Sequence, residues 1–62
     1  MSMFNPGDKV LHEKSGNHYH ILDDEVYLEE TNERAYVYRG KDFKKWVRRA
    51  SEMEDGRFTK IG

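Results

Sequence analysis

The 62-residue chain predicts an all-β fold, one small and strongly bent barrel of five to six short antiparallel strands. Three observations carry this. Apolar and polar residues alternate over short runs, and no 3.6-residue period is sustained. Gly, Asn and Asp punctuate those runs at short intervals. A chain this short cannot build two packed sheets of ordinary size, so one sheet curled on itself is the economical way to protect its edges.

The elements follow in order. Pro6-Gly7-Asp8 makes an entry turn, because Pro presets φ and Gly tolerates conformations closed to other residues. Lys9 to Glu13 alternates as a first strand, and Ser15-Gly16-Asn17 turns the chain back. With Ser15 and Gly16 at the turn centre, Val10 faces Ile21 and His12 faces Tyr19, all four on the inner side. Asp23-Asp24-Glu25 reads as an acidic bend, after which Val26 to Glu30 alternates again. A second hairpin centred on Asn32 and Glu33 pairs Val26 with Arg39, Leu28 with Val37, Tyr27 with Tyr38 and Glu29 with Tyr36. Small aliphatics then line one face, and Tyr27, Tyr36 and Tyr38 line the other. After the loop from Gly40, the Trp46-Val47 pair favours a strand over a short basic helix. Ser51-Glu52-Met53 suits a single 3₁₀ turn, Asp55-Gly56 a tight turn, and Arg57 to Ile61 a last strand. Residues 1–62 form a single domain.

Composition limits what such a domain does. Hydrophobic residues are 35% and charged residues 37%, near the border of disorder, but a net charge of -1 removes self-repulsion and eight aromatics supply a core. Without cysteine there is no disulfide or thiolate zinc site, which fits a cytoplasmic setting. The stretch Met1 to Pro6 lacks a charged segment followed by an apolar run, and no segment approaches a membrane span. Neutrality weighs against a general nucleic-acid coat protein. No catalytic constellation is evident: no serine or threonine has a recognisable base partner, and no glycine run resembles a phosphate loop. Neither a cofactor nor a metal is expected.

The order of elements, from the Pro-Gly-Asp entry through meandering strands to a 3₁₀ turn before the final strand, resembles SH3-like barrels. The linear pattern also resembles the bacterial domain-of-unknown-function family 1653. Its carriers are Pro6-Gly7; His12, Lys14, Gly16, Asn17, Tyr19 and Ile21-Leu22; Glu30-Thr31 and Glu33; Val37-Tyr38-Arg39; Trp46-Val47-Arg48; and Asp55-Gly56-Arg57-Phe58 with Ile61. The chain departs from that pattern in an extra Ser15, a short loop before Trp46, and Arg49 where proline is expected. The resemblance implies a compact SH3-like barrel and a binding role; it supplies no reaction.

Binding candidates come from side-chain chemistry. Arg39 and Arg48 offer planar donor forks that match carboxylate or phosphate, and Trp46 and Tyr38 offer faces for stacking. The bland alternative has Trp46 plugging the barrel and the arginines paired with acids such as Glu30 and Asp42. His12, inward beside Tyr19, is either a ligand-binding ring at the barrel mouth or a structural histidine. His18 and His20 lie two apart near Asp23 and Asp24, a weak metal-chelating pattern that solvated surface explains equally. Lys41, Lys44, Lys45, Arg48 and Arg49 concentrate positive charge, whereas Asp23, Asp24, Glu25, Glu29, Glu30 and Glu33 concentrate negative charge. The leading expectation is a non-enzymatic module binding another protein or peptide through Arg39, Arg48, Trp46 and the tyrosines. Two alternatives stand beside it: nucleic acid, held by tyrosine stacking and the 41–49 basic cluster, and a small molecule or nucleotide at a mouth formed by His12 and Tyr19. No membrane partner is expected, and a homodimer through the tyrosine face or an edge strand stays open.

Overall fold

A computed structural model describes residues 2–62, and Met1, the first residue of the N-terminal stretch considered above, lies outside the described residues. Five antiparallel strands form one curved sheet: β1 (Lys9–His12), β2 (His18–Tyr27), β3 (Arg34–Arg39), β4 (Lys45–Arg49) and β5 (Phe58–Ile61). Their spatial order is β4-β3-β2-β1-β5. Between the two edge strands, one α turn, α1 (Ala50–Glu52), runs into a wide helical turn over Met53–Arg57 that breaks at Gly56, φ 103°. The architecture is that of a small SH3-like barrel, as the sequence predicts. The helical piece sits where a 3₁₀ turn is expected but is wider, which buries Met53 and lets Glu54 reach across to β3.

The first hairpin differs from expectation by two residues: Val10 faces Tyr19, and Lys9 and Leu11 face His20 and His18. The turn is longer than Ser15-Gly16 alone. His12 N–H donates to Asn17 O at 2.9 Å, Gly16 N–H donates to His12 O at 2.8 Å, and Gly16 takes φ 76°. A slip of two preserves the side-chain period, so Val10, His12, Tyr19 and Ile21 still share the inner face.

The second hairpin differs more. Asp23-Asp24-Glu25 is no bend between strands; it lies inside a ten-residue β2. Register shifts between Ile21 and Asp23 and between Asp23 and Val26 absorb the acids. Such bulges bend a strand and leave its extra residues unpaired. The turn falls earlier than expected, with Leu28 N–H to Glu33 O at 2.9 Å and Asn32 in the left-handed region at φ 61°. Asparagine tolerates that region where most residues do not. Ile21 therefore faces Tyr38, Asp23 faces Val37, Val26 faces Ala35 and Tyr27 faces Arg34.

The tyrosine surface expected from the sequence is consequently the core. Tyr36 is wholly buried and Tyr38 only 6% exposed, packed with Phe4, Val10, Ile21, Ala50, Met53 and Phe58; Tyr27 lies beyond them, in solvent. Burying a tyrosine ring contributes roughly 1.5–3 kcal/mol from its apolar area before entropy is counted. That gain requires a partner for the hydroxyl. Tyr36 OH donates to Glu54 Oε2 and accepts from Phe4 N–H at 3.2 Å. Glu54 Oε2 also accepts from Arg34 Nη2 at 2.8 Å and Met3 N–H at 3.3 Å, while Arg34 Nη1 donates to Asp24 O and Ser2 Oγ. Burial pushes the Glu54 carboxyl up, but hydrogen bonds from Tyr36, Arg34 and Met3 outweigh it and hold it below the usual carboxylate range. This network ties the N-terminal arm to β2, β3 and the wide turn. Among the described residues, no helix is long and apolar enough to cross a membrane.

Candidate binding site

The loop after β3 decides which side chains meet. Gly40 N–H reaches Lys44 O at 3.3 Å, Phe43 N–H reaches Gly40 O at 3.0 Å, and Asp42 Oδ1 accepts from Lys44 N–H at 3.1 Å. This closure pairs Arg39 with Lys45, Tyr38 with Trp46, Val37 with Val47, Tyr36 with Arg48 and Ala35 with Arg49. Directly opposed residues share a face. Trp46 and Arg48 therefore stand on the inner side with the tyrosines, and Arg39 stands on the outer side with Lys45. The loop thus puts Arg39 on the opposite sheet face from Trp46 and Arg48, although Arg39 and Trp46 still border one cleft.

On the inner side the aromatic core continues into solvent. Tyr19 meets Tyr38 edge-on at 5.1 Å, and both rings lie against Phe58, at 6.2 and 5.7 Å. Trp46, opposite Tyr38, is 44% exposed, and Lys44 Nζ lies 5.3 Å from its ring centre. The Arg48 guanidinium sits 5.5 Å from the Phe58 ring. It shares Glu52 with Arg49 and Arg57, at 4.0, 3.1 and 3.6 Å respectively, so one carboxylate is divided among three cations. Burial pushes the Tyr38 hydroxyl up, with the charge of Arg48 partly opposing it. Gly40 is needed beneath Tyr19: a Cβ there would lie 3.2 Å from Tyr19 Cε1.

The sequence-predicted residues divide accordingly. Tyr19 and Trp46 line an open cleft of about 670 Å³ between the β1–β2 and β3–β4 loops, and Arg39 reaches its rim from the outer face. Tyr38, Arg48 and His12 gather around Phe58 behind it. Tyr38 is a buried support and not an exposed stacking surface, because the β2 bulges turn it inward. His12 does not line the cleft with Tyr19. Its ring packs on Phe58 at 4.8 Å, and Nδ1 hydrogen-bonds Ser15 Oγ at 2.7 Å.

Ser15 thus has a histidine partner that the sequence did not reveal. Its Oγ also accepts Asn17 N–H at 3.2 Å, and among the described residues no carboxylate bonds the far side of the His12 ring, so the pair closes a turn. His18 and His20 face outward and are exposed. Among the described residues no group of three or more His, Asp or Glu side chains is placed to hold a metal ion.

Two residues escaped the sequence reading. Phe43, 74% exposed, holds φ 64°, a conformation that costs a bulky side chain and favours glycine; the Arg39 guanidinium lies 4.9 Å from its ring. Lys9 also reaches the cleft. Only the cross-strand register could have revealed Lys9, and nothing in the local sequence marks Phe43.

Charge is segregated along the barrel. Among the described residues, Lys9, Lys14, Arg39, Lys41, Lys44 and Lys45 enter no salt bridge, whereas Arg34, Arg48, Arg49, Arg57 and Lys60 do. The six unpaired cations all lie toward the end of the sheet that carries the cleft. Glu29 and Glu30 stand at the opposite end, in the β2–β3 turn. Comparison of the chain with family models, curated proteins and solved structures returns no match.

Proposed function

We propose that this chain is a non-enzymatic, cytoplasmic binding module whose inner aromatic shelf takes an acidic segment of another protein. One observation carries the reading: the core's aromatic layer, Tyr19–Tyr38–Phe58, continues through half-exposed Trp46 to the edge of the barrel, with Arg48 next along β4. Trp46 and Tyr19 supply an apolar anchor that loses little entropy on binding. Arg48 supplies a planar donor fork for a carboxylate. The unpaired lysines around the cleft add attraction at longer range, which favours acidic segments in approach as well as in contact.

The test is selection from a random peptide library with the intact chain as bait, against Trp46→Ala/Arg48→Gln. Peptides carrying acids beside an apolar residue should be enriched by the parent and lost with the double variant, whose fold is verified by amide NMR dispersion. Absence of enrichment, or enrichment that the variant keeps, removes the reading.

A further inference from the structure

The outer face of the same sheet carries a row of cations that runs from the cleft to β4. In register across four strands stand Lys9, His20, Arg39 and Lys45: Lys9 faces His20, His20 faces Arg39, and Arg39 faces Lys45. Neighbouring strands lie about 4.8 Å apart, so this row spans about 14 Å. Like charges directly opposed across strands destabilise a sheet, and Arg39 and Lys45 are so opposed. None of Lys9, Arg39 or Lys45 is in a salt bridge among the described residues. Asp42, in the adjoining loop, accepts Lys44 N–H, and Asp23, in the next row, accepts Glu25 N–H.

Beside Arg39, in the loop joining β3 to β4, stands Phe43. Its ring lies over the Arg39 guanidinium and projects into solvent, on a backbone held at positive φ by the loop. Strained backbone kept in a loop where glycine would fit without strain points to a use for the side chain. The ring stands at the border of the open cleft with its face exposed, which suits a planar partner better than an aliphatic one.

We infer that this outer face binds single-stranded nucleic acid, with Lys9, His20, Arg39 and Lys45 along the phosphodiester backbone and Phe43 stacked on a base. A row of cations beside an exposed aromatic is the usual physical arrangement for sequence-tolerant single-strand binding. The overall charge of -1 does not oppose it, because the acids at the β2–β3 turn point the molecule's field and present the cationic end to a polyanion. Trp46 borders the same cleft as Lys9, His20, Arg39 and Phe43, whereas Arg48 does not, so Arg48 is the residue that separates this reading from the acidic-peptide shelf.

Fluorescence anisotropy of a labelled mixed-sequence single-stranded oligonucleotide, titrated with the full chain at several salt concentrations, tests the inference. Three phosphate contacts give a slope of log K against log salt of about -2, each contact contributing about -0.7. Arg39→Ser or Lys45→Gln should each weaken binding and reduce the slope by about 0.7. Phe43→Gly should weaken binding with the slope unchanged, and Arg48→Gln, outside the cleft, should leave both intact. No salt-dependent binding at low salt overturns the inference. So does poly-glutamate binding of equal strength that is indifferent to Phe43→Gly, which would make the row a general acceptor of acidic polymers.

Discussion

Replacing Phe43 by glycine and by alanine separates its backbone from its ring. Both variants delete the ring and its contact with Arg39, so the difference between them reports the backbone alone. At φ 64° a residue with a Cβ pays on the order of 1–2 kcal/mol that glycine does not. Glycine in turn gives up roughly 0.5–1 kcal/mol more conformational entropy on folding than alanine. At the centres of these two ranges the balance favours Phe43→Gly over Phe43→Ala by about 0.5–1 kcal/mol, the reverse of the order at ordinary strand or helix positions. In a domain this small, 1 kcal/mol moves the midpoint of thermal unfolding by about 4–8 °C. The glycine variant should therefore melt about 2–8 °C above the alanine variant in paired calorimetric scans. If alanine is equal or better, Phe43 is not strained, and the argument that its ring is held out for a purpose loses its support.

Three further outcomes follow from the geometry. Lys45→Glu turns the Arg39–Lys45 opposition into an ion pair and should stabilise the fold by about 0.5 kcal/mol in urea titrations while abolishing oligonucleotide binding in the anisotropy assay. Glu54→Gln should cost about 1–3 kcal/mol near neutral pH. Because the folded-state pKa of Glu54 is depressed, its stabilisation is complete above the ordinary carboxylate range and is lost as pH falls through the folded value. Parent and Glu54→Gln stabilities should then converge only well below the ordinary carboxylate range, and parallel curves across the acid range would contradict the network. Gly40→Ala presses a methyl against Tyr19 and should cost about 1 kcal/mol by overpacking, with the Tyr19 ring resonances displaced in NMR spectra; an unshifted Tyr19 would show that the close approach is not real.

Local pattern carried the fold a long way. Alternation around Val10, Tyr19, Ile21 and Val37, and the Trp46-Val47 pair, placed the strands, because a period of two is a local property of the chain. Faces survived the misplaced first turn for the same reason, since a slip of two residues leaves every side chain on its own side. Asp23-Asp24-Glu25 misled because three consecutive acids look like a loop, whereas a bulged strand can carry them outward without pairing each one. Tyr36 was illegible for a different reason. Its burial depends on Glu54, eighteen residues away on a turn after the next strand, and no local pattern encodes that meeting. The candidate site was half legible: Trp46, Arg48 and Tyr19 share a side, but a loop closed on Lys44 and Lys45 sent Arg39 to the other.

The same register bears on self-association. The tyrosine face proposed from sequence as a dimer contact is closed, since Tyr36 and Tyr38 lie in the core. The edge strand β4 remains, hydrogen-bonded only to β3 among the described strands, and an unpaired edge is a template for another chain. If two copies of β4 paired antiparallel about Val47, each Lys45 would face an Arg49 of the other copy, placing two like-charge oppositions beside the central valines. Pairing of that kind is destabilised at every such opposition. A strand with acids at those positions would instead meet Lys45 and Arg49 favourably. Lys45 and Arg49 therefore oppose that antiparallel pairing of β4 with a second copy.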